Sequence, residues 1–396
     1  MKRVPLAVVL GCGINGLGMI RSLGRENIPI FALDPDPNAI GMYSRFISKG
    51  IVCPDPLHSE SDLIDFLMDL GKTSNNTKFL FPANDSYVAA IAKAKDKLET
   101  YYKVPFPGWD VIKDIVDKEN QYKRAAEYDI LLPETFYPKE KKDIEEISRN
   151  VNFPVILKPA HSYAFLIKYG IKAVKCTSKD KLIEEFEKYS ITGFKMIIQE
   201  VIEGDASNLY EFQSYTNQKR DTLAMFMGRK LEQHPSDFGT GTAFESVEEP
   251  RIVELGLRVL EVFNCHGISF SEFKLDPKDR KFKLIEFNPR ATHCNSLSTE
   301  CGVNIPYAVY KDVTEEYKGK AILSYRVGKE WVWPENGFLE RKRFMIYIKN
   351  IFTRKKCIYA IFSLNDPMPE ISLFYNVLRQ YIKGFLSMIK KVFLKL

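Results

Sequence analysis

The chain has 396 residues, 45% of them hydrophobic, which allows two or three domains with sizeable cores. No apolar run is long enough to cross a bilayer, and no secretory cleavage pattern follows Lys2 and Arg3. The seven cysteines are scattered without CxxC spacing, so we expect reduced thiols in a cytoplasmic protein. The net charge of +6 is uneven, because residues 318–396 carry 16 Lys/Arg and 5 Asp/Glu and the remaining residues are net acidic. This asymmetry predicts an anionic partner for the tail and no nucleic-acid binding by the body.

The first hundred residues alternate between strand and helix patterns. Apolar runs at 4–10, 28–33 and 78–81 predict buried strands, and helical patterns follow at 14–25 and 87–98. The sequence therefore predicts an open, Rossmann-like α/β domain over residues 1–110.

The next two hundred residues have a different pattern. Helices are predicted at 114–128, 179–189 and 250–263, and strands at 153–158, 171–176, 195–202, 211–215, 223–227, 269–275 and 281–287. This is the pattern of an α+β region with antiparallel strands, which we assign to residues 111–318.

The tail, residues 319–396, is basic and amphipathic. Apolar residues recur at helical spacing from Phe374 to Val392, and lysines accompany them. A second basic cluster lies upstream at 341–356. Such a helix can lie on an anionic membrane surface, or it can pack on the body with its lysines in water. We favour the membrane surface.

A glycine motif follows the first predicted strand. Gly11, Gly13 and Gly16 have the spacing of a dinucleotide fingerprint, and Asp34 ends the next strand. The same glycines also suit a tight strand-to-helix turn that binds no nucleotide. We favour the tight turn, because such turns are common in open α/β sheets.

Two acidic strands form the most informative motif. Glu286 and Asn288 are two residues apart, so both side chains lie on one face of their strand, and Glu272 can join them from a neighbouring strand. Two carboxylates and an amide oxygen suit Mg²⁺. Arg290 falls on the same face by alternation and could hold a carboxylate or a phosphate.

Two lysines and the end of one strand complete the set of candidate ligand-binding features. Lys118 opens a helix, and Lys158 ends an apolar strand, where a charge is well placed to meet a ligand. Residues 197–205 form a strand that runs into a turn and could present backbone groups to a purine.

In this order and spacing, the motifs resemble those of the ATP-grasp superfamily over about residues 1–318. Within it, the segments 226–230, 239–242 and 286–290 are most similar to carboxylate–amine ligases related to D-aspartate ligase and to the carbamoyl phosphate synthase large chain. The resemblance implies a preATP-grasp domain, a two-lobed ATP-grasp module with a hinge near residue 200, and the basic helical tail.

The resemblance also implies roles for individual residues. Those expected to bind ATP are Lys118 and Lys158 at the phosphates, Glu200, Val201 and Ile202 at the adenine, and Asp205 at the ribose. Those expected to bind Mg²⁺, or alternatively Mn²⁺, are Glu272, Glu286 and Asn288. The catalytic candidates are Arg290 near an acyl phosphate, and Arg229 and Lys230 at the triphosphate or substrate.

The implied activity is ATP-dependent joining of a small carboxylate and a small amine through an acyl phosphate, with release of ADP and phosphate. A homodimer in the cytoplasm, peripheral at the inner membrane face through the tail, is expected. One departure is the stretch 160–165, which lacks the glycines that many members have after the second lysine.

Two other functions stay open. A non-catalytic, membrane-associated ATP-binding protein would fit the glycine-poor stretch and the basic tail. A nicotinamide- or flavin-dependent oxidoreductase would fit the glycine motif, but it leaves the acidic strands unexplained. Of the remaining polar residues, we expect Asp85 to cap a helix, His161 and His234 to make polar contacts, and His293 and Cys294 to line the substrate pocket.

Overall fold

A computed structural model describes residues 4–73, 76–314, 320–336 and 357–393 of the chain. The upstream basic cluster at 341–356 lies outside the described residues. Three sheets organise the described part of the chain: one of five strands, one of four and one of seven.

The five-stranded sheet is parallel, in the order β3-β2-β1-β4-β5. Its strands are β1 (Leu6–Leu10), β2 (Ile30–Asp34), β3 (Lys49–Val52), β4 (Lys78–Pro82) and β5 (Tyr102–Lys103). Its helices are α1 (Ile14–Gly24), α2 (Glu60–Lys72), α3 (Asp85–Lys93) and α4 (Lys95–Leu98). The central strands are buried apolar runs because helices cover both faces of the sheet. The exposed edge strand β3 has no such run, so the sequence did not reveal it.

The four-stranded sheet is antiparallel, in the order β6-β9-β7-β8. Its strands are β6 (Thr135–Phe136), β7 (Val155–Pro159), β8 (Val174–Cys176) and β9 (Met196–Glu200). The helices before and around it are α5 (Trp109–Val116), α6 (Lys118–Glu127), α7 (Lys141–Asn150), α8 (Ser162–Tyr169) and α9 (Lys179–Ser190). The helix predicted at 114–128 is divided at Asp117, whose carboxylate caps α6 by accepting from Glu119 N at 2.8 Å.

Helix α8 occupies the stretch where many ATP-grasp enzymes carry a glycine-rich loop. Phe165 of α8 is fully buried and packs edge-on against Tyr189 at a centroid distance of 4.9 Å. Gly170 ends the helix in the left-handed conformation, with φ of 72°. The strand predicted from residue 171 therefore begins only at Val174.

The seven-stranded sheet has the order β14-β13-β10-β11-β12-β15-β16 and is antiparallel apart from its last pair. Its strands are β10 (Leu209–Thr216), β11 (Thr222–His234), β12 (Thr240–Ser246), β13 (Gly267–Leu275), β14 (Phe282–Asn288), β15 (Glu330–Val332) and β16 (Ile358–Tyr359). Its helices are α10 (Pro250–Val262), α11 (Asn295–Cys301), α12 (Ile305–Val313) and α13 (Met368–Phe393).

One large apolar core joins the parallel domain to the seven-stranded sheet. Leu17 and Ile20 of α1 share this core with Phe226 of β11 and Trp331 of β15. The start of the tail belongs to the same body, since Arg21 of α1 forms a buried ion pair with Asp366 at 2.9 Å. None of the helices in the described ranges combines the length and the apolar character needed to cross a membrane.

Candidate active site

A row of three carboxylates crosses the seven-stranded sheet. Glu211 of β10 lies opposite Glu272 of β13, which lies opposite Glu286 of β14. Residues that face each other in an antiparallel ladder project from the same side of the sheet. The row therefore forms an acidic stripe on one face, and the predicted pair Glu272 and Glu286 belongs to it.

Lysines from two other elements meet this row. Lys230 Nζ of β11 donates to Glu272 Oε1 at 2.7 Å, and Lys118 Nζ, from the first residue of α6, contacts Glu286 Oε1. Burial alone would raise the pKa of Glu286, but the Lys118 ammonium, and Arg290 after it, hold that pKa well below its usual range. Glu286 is therefore ionised throughout the physiological pH range.

Lys158 reaches the same cleft from the end of β7. Its ammonium donates to Tyr122 Oη at 2.6 Å and to Gln199 Oε1 at 2.7 Å. Tyr122 in turn donates to the backbone oxygen of Ile285 at 2.6 Å, which connects Lys158 to β14. Burial and then the Lys118 charge lower the pKa of Lys158 to about 7, although Glu286 opposes the shift.

Two further charged residues near the cleft, Glu211 and Lys172, were not among the predicted site residues. Burial, and the neighbouring Glu272, raise the pKa of Glu211 to about 7, and Cys294 Sγ donates to its carboxylate at 3.2 Å. Lys172, an exposed residue between α8 and β8, has a pKa lowered by desolvation from the surrounding protein, and the charges of Glu286 and Glu272 oppose that shift. Glu211 could have been found from the sequence, because it is an acidic residue between two aromatic residues, Tyr210 and Phe212, at the start of a predicted strand. No local pattern marks Lys172.

Arg290 lies beyond the end of β14 and faces the parallel domain. Its guanidinium makes a two-point pair with Asp85, with Nε at 2.6 Å and Nη2 at 3.0 Å from the carboxylate oxygens. Asp85 was expected to cap a helix, but the cap of α3 is Asn84, which accepts from Tyr87 N. The structure thus corrects the role of Asp85 and places Arg290 where the parallel domain borders the cleft.

Arg229 lies on the other face of the sheet from Lys230. Successive residues of a strand point to opposite faces, and Arg229 Nε donates to Glu245 Oε1 of β12 at 2.7 Å. Tyr210, which lies opposite Arg229 on β10, directly precedes Glu211 and therefore points to the face opposite the acidic row. The structure therefore brings Lys230 to the acidic row and keeps Arg229 away from it.

The predicted adenine and ribose residues form the link between the two antiparallel sheets. Glu200 ends β9, and its Oε2 lies 3.2 Å from Lys283 Nζ of β14. Lys274 Nζ of β13 donates to the backbone oxygen of Ile202 at 2.7 Å, which ties down the segment that contains Val201. Asp205 begins the short 3₁₀ turn that leads into β10.

The proposed metal ligands fit a hard divalent cation by their chemistry. Asn288, at the end of β14, is buried, and its side-chain nitrogen has no hydrogen-bond partner among the described residues. An amide nitrogen donates and does not bind a cation, so this nitrogen is left for an acceptor such as a phosphate oxygen, and only the amide oxygen of Asn288 could join the carboxylates at a cation. In the described ranges no three His, Cys, Asp or Glu residues form a metal cluster, and the predicted set supplies two carboxylates and one amide.

The glycine motif forms a tight turn between β1 and α1. Gly11 has a φ of 87°, and a Cβ on Gly16 would lie 2.0 Å from the Gly11 oxygen. Cys12 N donates to Asp34 Oδ2 at 2.5 Å, and Asn15 Nδ2 donates to the backbone oxygen of Ala83 at 2.9 Å. The turn thus uses its own polar groups, and those of Asp34, for contacts within the fold.

The histidines near the cleft make structural contacts. His293 Nε2 donates to the Gly241 oxygen at 3.0 Å, and burial, followed by Lys172 and Lys230, lowers the pKa of His293 to about 3. This ring is neutral at physiological pH. His161 lies 3.3 Å from Asp117 Oδ2, next to the cap of α6.

Comparison with known proteins identifies relatives along most of the chain, although no family model matches it. D-aspartate ligase of Enterococcus faecium (strain Aus0004) is 25% identical over 328 residues, 78% of this chain and 76% of the relative. The carbamoyl phosphate synthase large chain of Myxococcus xanthus (strain DK1622) is 20% identical over 308 residues, 72% of this chain. The chain spans about a quarter of that second relative, 26% of its length.

Solved structures share the fold at low sequence identity. The L-amino acid ligase from Bacillus licheniformis has a TM-score of 0.64 at 14% identity, over 83% of this chain and 79% of its own. The N5-carboxyaminoimidazole synthetase from Staphylococcus aureus complexed with ADP has a TM-score of 0.63 at 14% identity, over 83% and 81%. The biotin carboxylase domain of Hydrogenobacter thermophilus 2-oxoglutarate carboxylase, in complex with MgADP, has a TM-score of 0.65 at 14% identity, over 83% and 74%.

These likenesses confirm the fold class that the sequence predicted, a mixed α/β and α+β ATP-grasp architecture. They also confirm the resemblance to D-aspartate ligase and the carbamoyl phosphate synthase large chain.

Proposed function

We propose that the chain is an ATP-dependent carboxylate–amine ligase that forms an amide through an acyl phosphate and releases ADP and phosphate. An ATP-dependent ligase is what its relatives and its fold support. The observation that carries the proposal is that Lys118 and Lys230 pair with the row of carboxylates, while Lys158 is connected to the same strand β14 through Tyr122. Cations and carboxylates from separate elements can exchange partners when a charged ligand enters.

ATP would bind between the four-stranded and the seven-stranded sheets. The ammonium groups of Lys118 and Lys158 would hold its phosphates, since both already face oxygen atoms in the cleft. The adenine would contact the link formed by Glu200, Val201 and Ile202, and the ribose would contact Asp205. Movement of one sheet toward the other would exclude water from the reacting groups.

A divalent cation would be held by Glu272, Glu286 and Asn288. Mg²⁺ is the expected ion, with Mn²⁺ as an alternative, because carboxylate and amide oxygens are hard ligands. When bound, the cation offsets negative charge on the transferring phosphoryl group. Lys118 and Lys230 pair with two of these carboxylates and orient them until ligands arrive.

The chemistry needs no nucleophile from the protein. A substrate carboxylate oxygen attacks the γ-phosphorus of ATP, ADP leaves, and an amine then displaces phosphate from the acyl phosphate. Arg290 could bind the acyl phosphate once a ligand competes with Asp85 for its guanidinium. Lys230, which faces the acidic row, could offset charge at the triphosphate or the substrate.

The partners in this proposal are a small carboxylate and a small amine. The name of the D-aspartate ligase relative makes aspartate the first carboxylate to test. We further propose a cytoplasmic homodimer that can lie peripherally at an inner membrane face.

The test combines nucleotide binding with turnover. Purified protein is titrated with ATP and Mg²⁺ by thermal shift, and ADP release is followed with a panel of amino acids and amines. Glu286→Gln removes one charge of the acidic row, and Glu245→Gln, on the opposite face beside Arg229, is the matched control. We expect the shift and the ADP release to be lost in the first variant and kept in the second.

The other outcomes select the other functions. A thermal shift with ATP but no ADP release across the panel would favour a non-catalytic ATP-binding protein. A shift with a nicotinamide dinucleotide and none with ATP would favour an oxidoreductase that uses the turn of residues 11–16.

A further inference from the structure

The last helix, α13, is attached to the body through its first turns. Asp366, just before the helix, accepts from Arg21 Nε at 2.9 Å, from Ser44 Oγ at 2.8 Å and from Arg45 N at 2.8 Å. Leu373 packs against the large core, and Ser372 is buried. The beginning of α13 is therefore held in a fixed direction relative to the parallel domain.

The opposite side of α13 presents large apolar side chains to solvent. We call this set the apolar stripe: Ile371, Tyr375, Leu378 and Ile382, with exposed fractions between 52% and 64%. At about 100° per residue, these four positions fall within an arc of about 60° on one side of the helix. Leu373 lies about 170° around the helix from the middle of the stripe, so among the described residues the core that Leu373 contacts is on the other side of the helix.

Contiguous exposed apolar surface of this kind marks an interaction site. The sequence of the helix indicates the chemistry of the partner, because residues 371–396 contain five Lys/Arg and no Asp or Glu. Helical spacing puts the exposed Arg379 beside the stripe, on its polar flank. An apolar arc flanked by basic residues is the pattern of helices that lie in the plane of a membrane interface.

We propose that the apolar stripe of α13 inserts into the headgroup region of an anionic lipid surface, with the helix parallel to that surface. A second copy of the chain fits less well, since pairing two stripes would bring two net positive helices together. This proposal gives a surface and a ligand to the peripheral location proposed above. It does not depend on the ligase chemistry, because none of the cleft residues lies on α13.

Vesicle sedimentation of the full chain tests the proposal. The probes are vesicles of phosphatidylcholine alone and vesicles in which part of it is replaced by phosphatidylglycerol. The variant Leu378→Asp with Ile382→Asp places two charges on the stripe. The control, Ile167→Asp with Ile191→Asp, makes two equally charged changes at exposed apolar positions, one in α8 and one just after the end of α9.

We expect the wild type and the control to sediment with the anionic vesicles and not with the neutral ones. The stripe variant should lose affinity by at least about tenfold, because it removes apolar insertion and weakens the attraction to anionic lipid. Binding should also weaken in ~1 M salt, where the screening length falls to ~3 Å.

Equal sedimentation of the wild type and the stripe variant, or none by the wild type, would overturn the proposal. A wild-type dimer that the stripe variant converts to a monomer, without vesicle binding, would instead assign the stripe to a second copy. ATP-dependent thermal shifts should be the same in all three proteins. Their loss in all three would count against the ligase and leave the membrane result standing.

Discussion

The turn of residues 11–16 and the charged cleft on β10, β13 and β14 both carry patterns typical of nucleotide sites, yet the fold uses their polar groups differently. In the turn, Cys12 N is bonded to Asp34 and Asn15 to Ala83, so the donors serve the turn itself. In the cleft, Lys118 and Glu286 come from different elements and form a direct ion pair. An ion pair between two elements can open for a charged ligand more readily than hydrogen bonds that maintain a turn.

The largest expected effect separates the two faces of β11. Lys230→Met should reduce ADP release by about 10² or more, because it removes a cation from a site where charge develops during phosphoryl transfer. Arg229→Met, one residue away on the other face, should leave the rate nearly unchanged. Equal losses in the two variants, measured as steady-state ADP release at saturating ATP, would contradict the assignment of the cleft to Lys230.

A second experiment tests the turn as a structural element. Gly16→Ala places a Cβ 2.0 Å from the Gly11 oxygen, a backbone atom that cannot move aside. The free energy of unfolding, measured with urea, should fall by about 3 kcal/mol. Gly13→Ala is the control, since its Cβ meets nothing within 4 Å. If Gly13→Ala destabilised the protein as much, the packing account of the turn would fail.

A smaller loss of stability is expected where the parallel domain meets the cleft. Asp85→Asn leaves Arg290 without its carboxylate and should lower the free energy of unfolding by about 1–2 kcal/mol. Asp65→Asn makes the same change in an exposed ion pair with Lys97 and should leave the urea midpoint unchanged. Indistinguishable midpoints for the two variants would mean that the Arg290 pair contributes no more than an exposed one.

The smallest expected effect is the uptake of a fraction of a proton when ATP binds. Lys158 has a pKa of about 7, so its side chain is partly uncharged in the free protein at physiological pH. Phosphate oxygens favour the charged form and raise this pKa, so ATP binding should take up protons near neutral pH. Calorimetry in two buffers of different ionisation enthalpy measures this uptake.

Lys158→Arg is the comparison for that measurement, because a guanidinium stays charged at every accessible pH. The uptake attributable to residue 158 should disappear in this variant. The same buffer dependence in both proteins would show that Lys158 is already charged before ATP binds.

Local patterns in the sequence predicted much of the site. Alternation along β14 put Glu286 and Asn288 on one face, and the hairpin pairing of Glu272 with Glu286 is what the structure contains. The Asp117-Lys118 pair at a helix start was readable as a cap signal, although the predicted helix continued across it. These features depend only on residue periodicity and capping chemistry, which the sequence specifies directly.

Other features depend on contacts between distant segments. The expected role of Arg229 came from a short motif, and only the pairing of β11 with β12 showed that it faces Glu245. Asp85 meets Arg290 across 205 positions of the chain, and no local pattern encodes that meeting. Helix α8 forms at the segment that was compared with a glycine-rich loop, because Phe165 is buried in the apolar core of the four-stranded sheet.

The sequence by itself therefore determined the fold class, the shared strand face of Glu286 and Asn288 and the amphipathic character of the tail. The tertiary structure decided which cations face the carboxylates, how the parallel domain borders the cleft and which side of α13 is exposed. The physical reason is that periodicity fixes which face of an element a residue occupies. The packing of that element against others fixes what the face meets, and packing depends on contacts far apart in sequence.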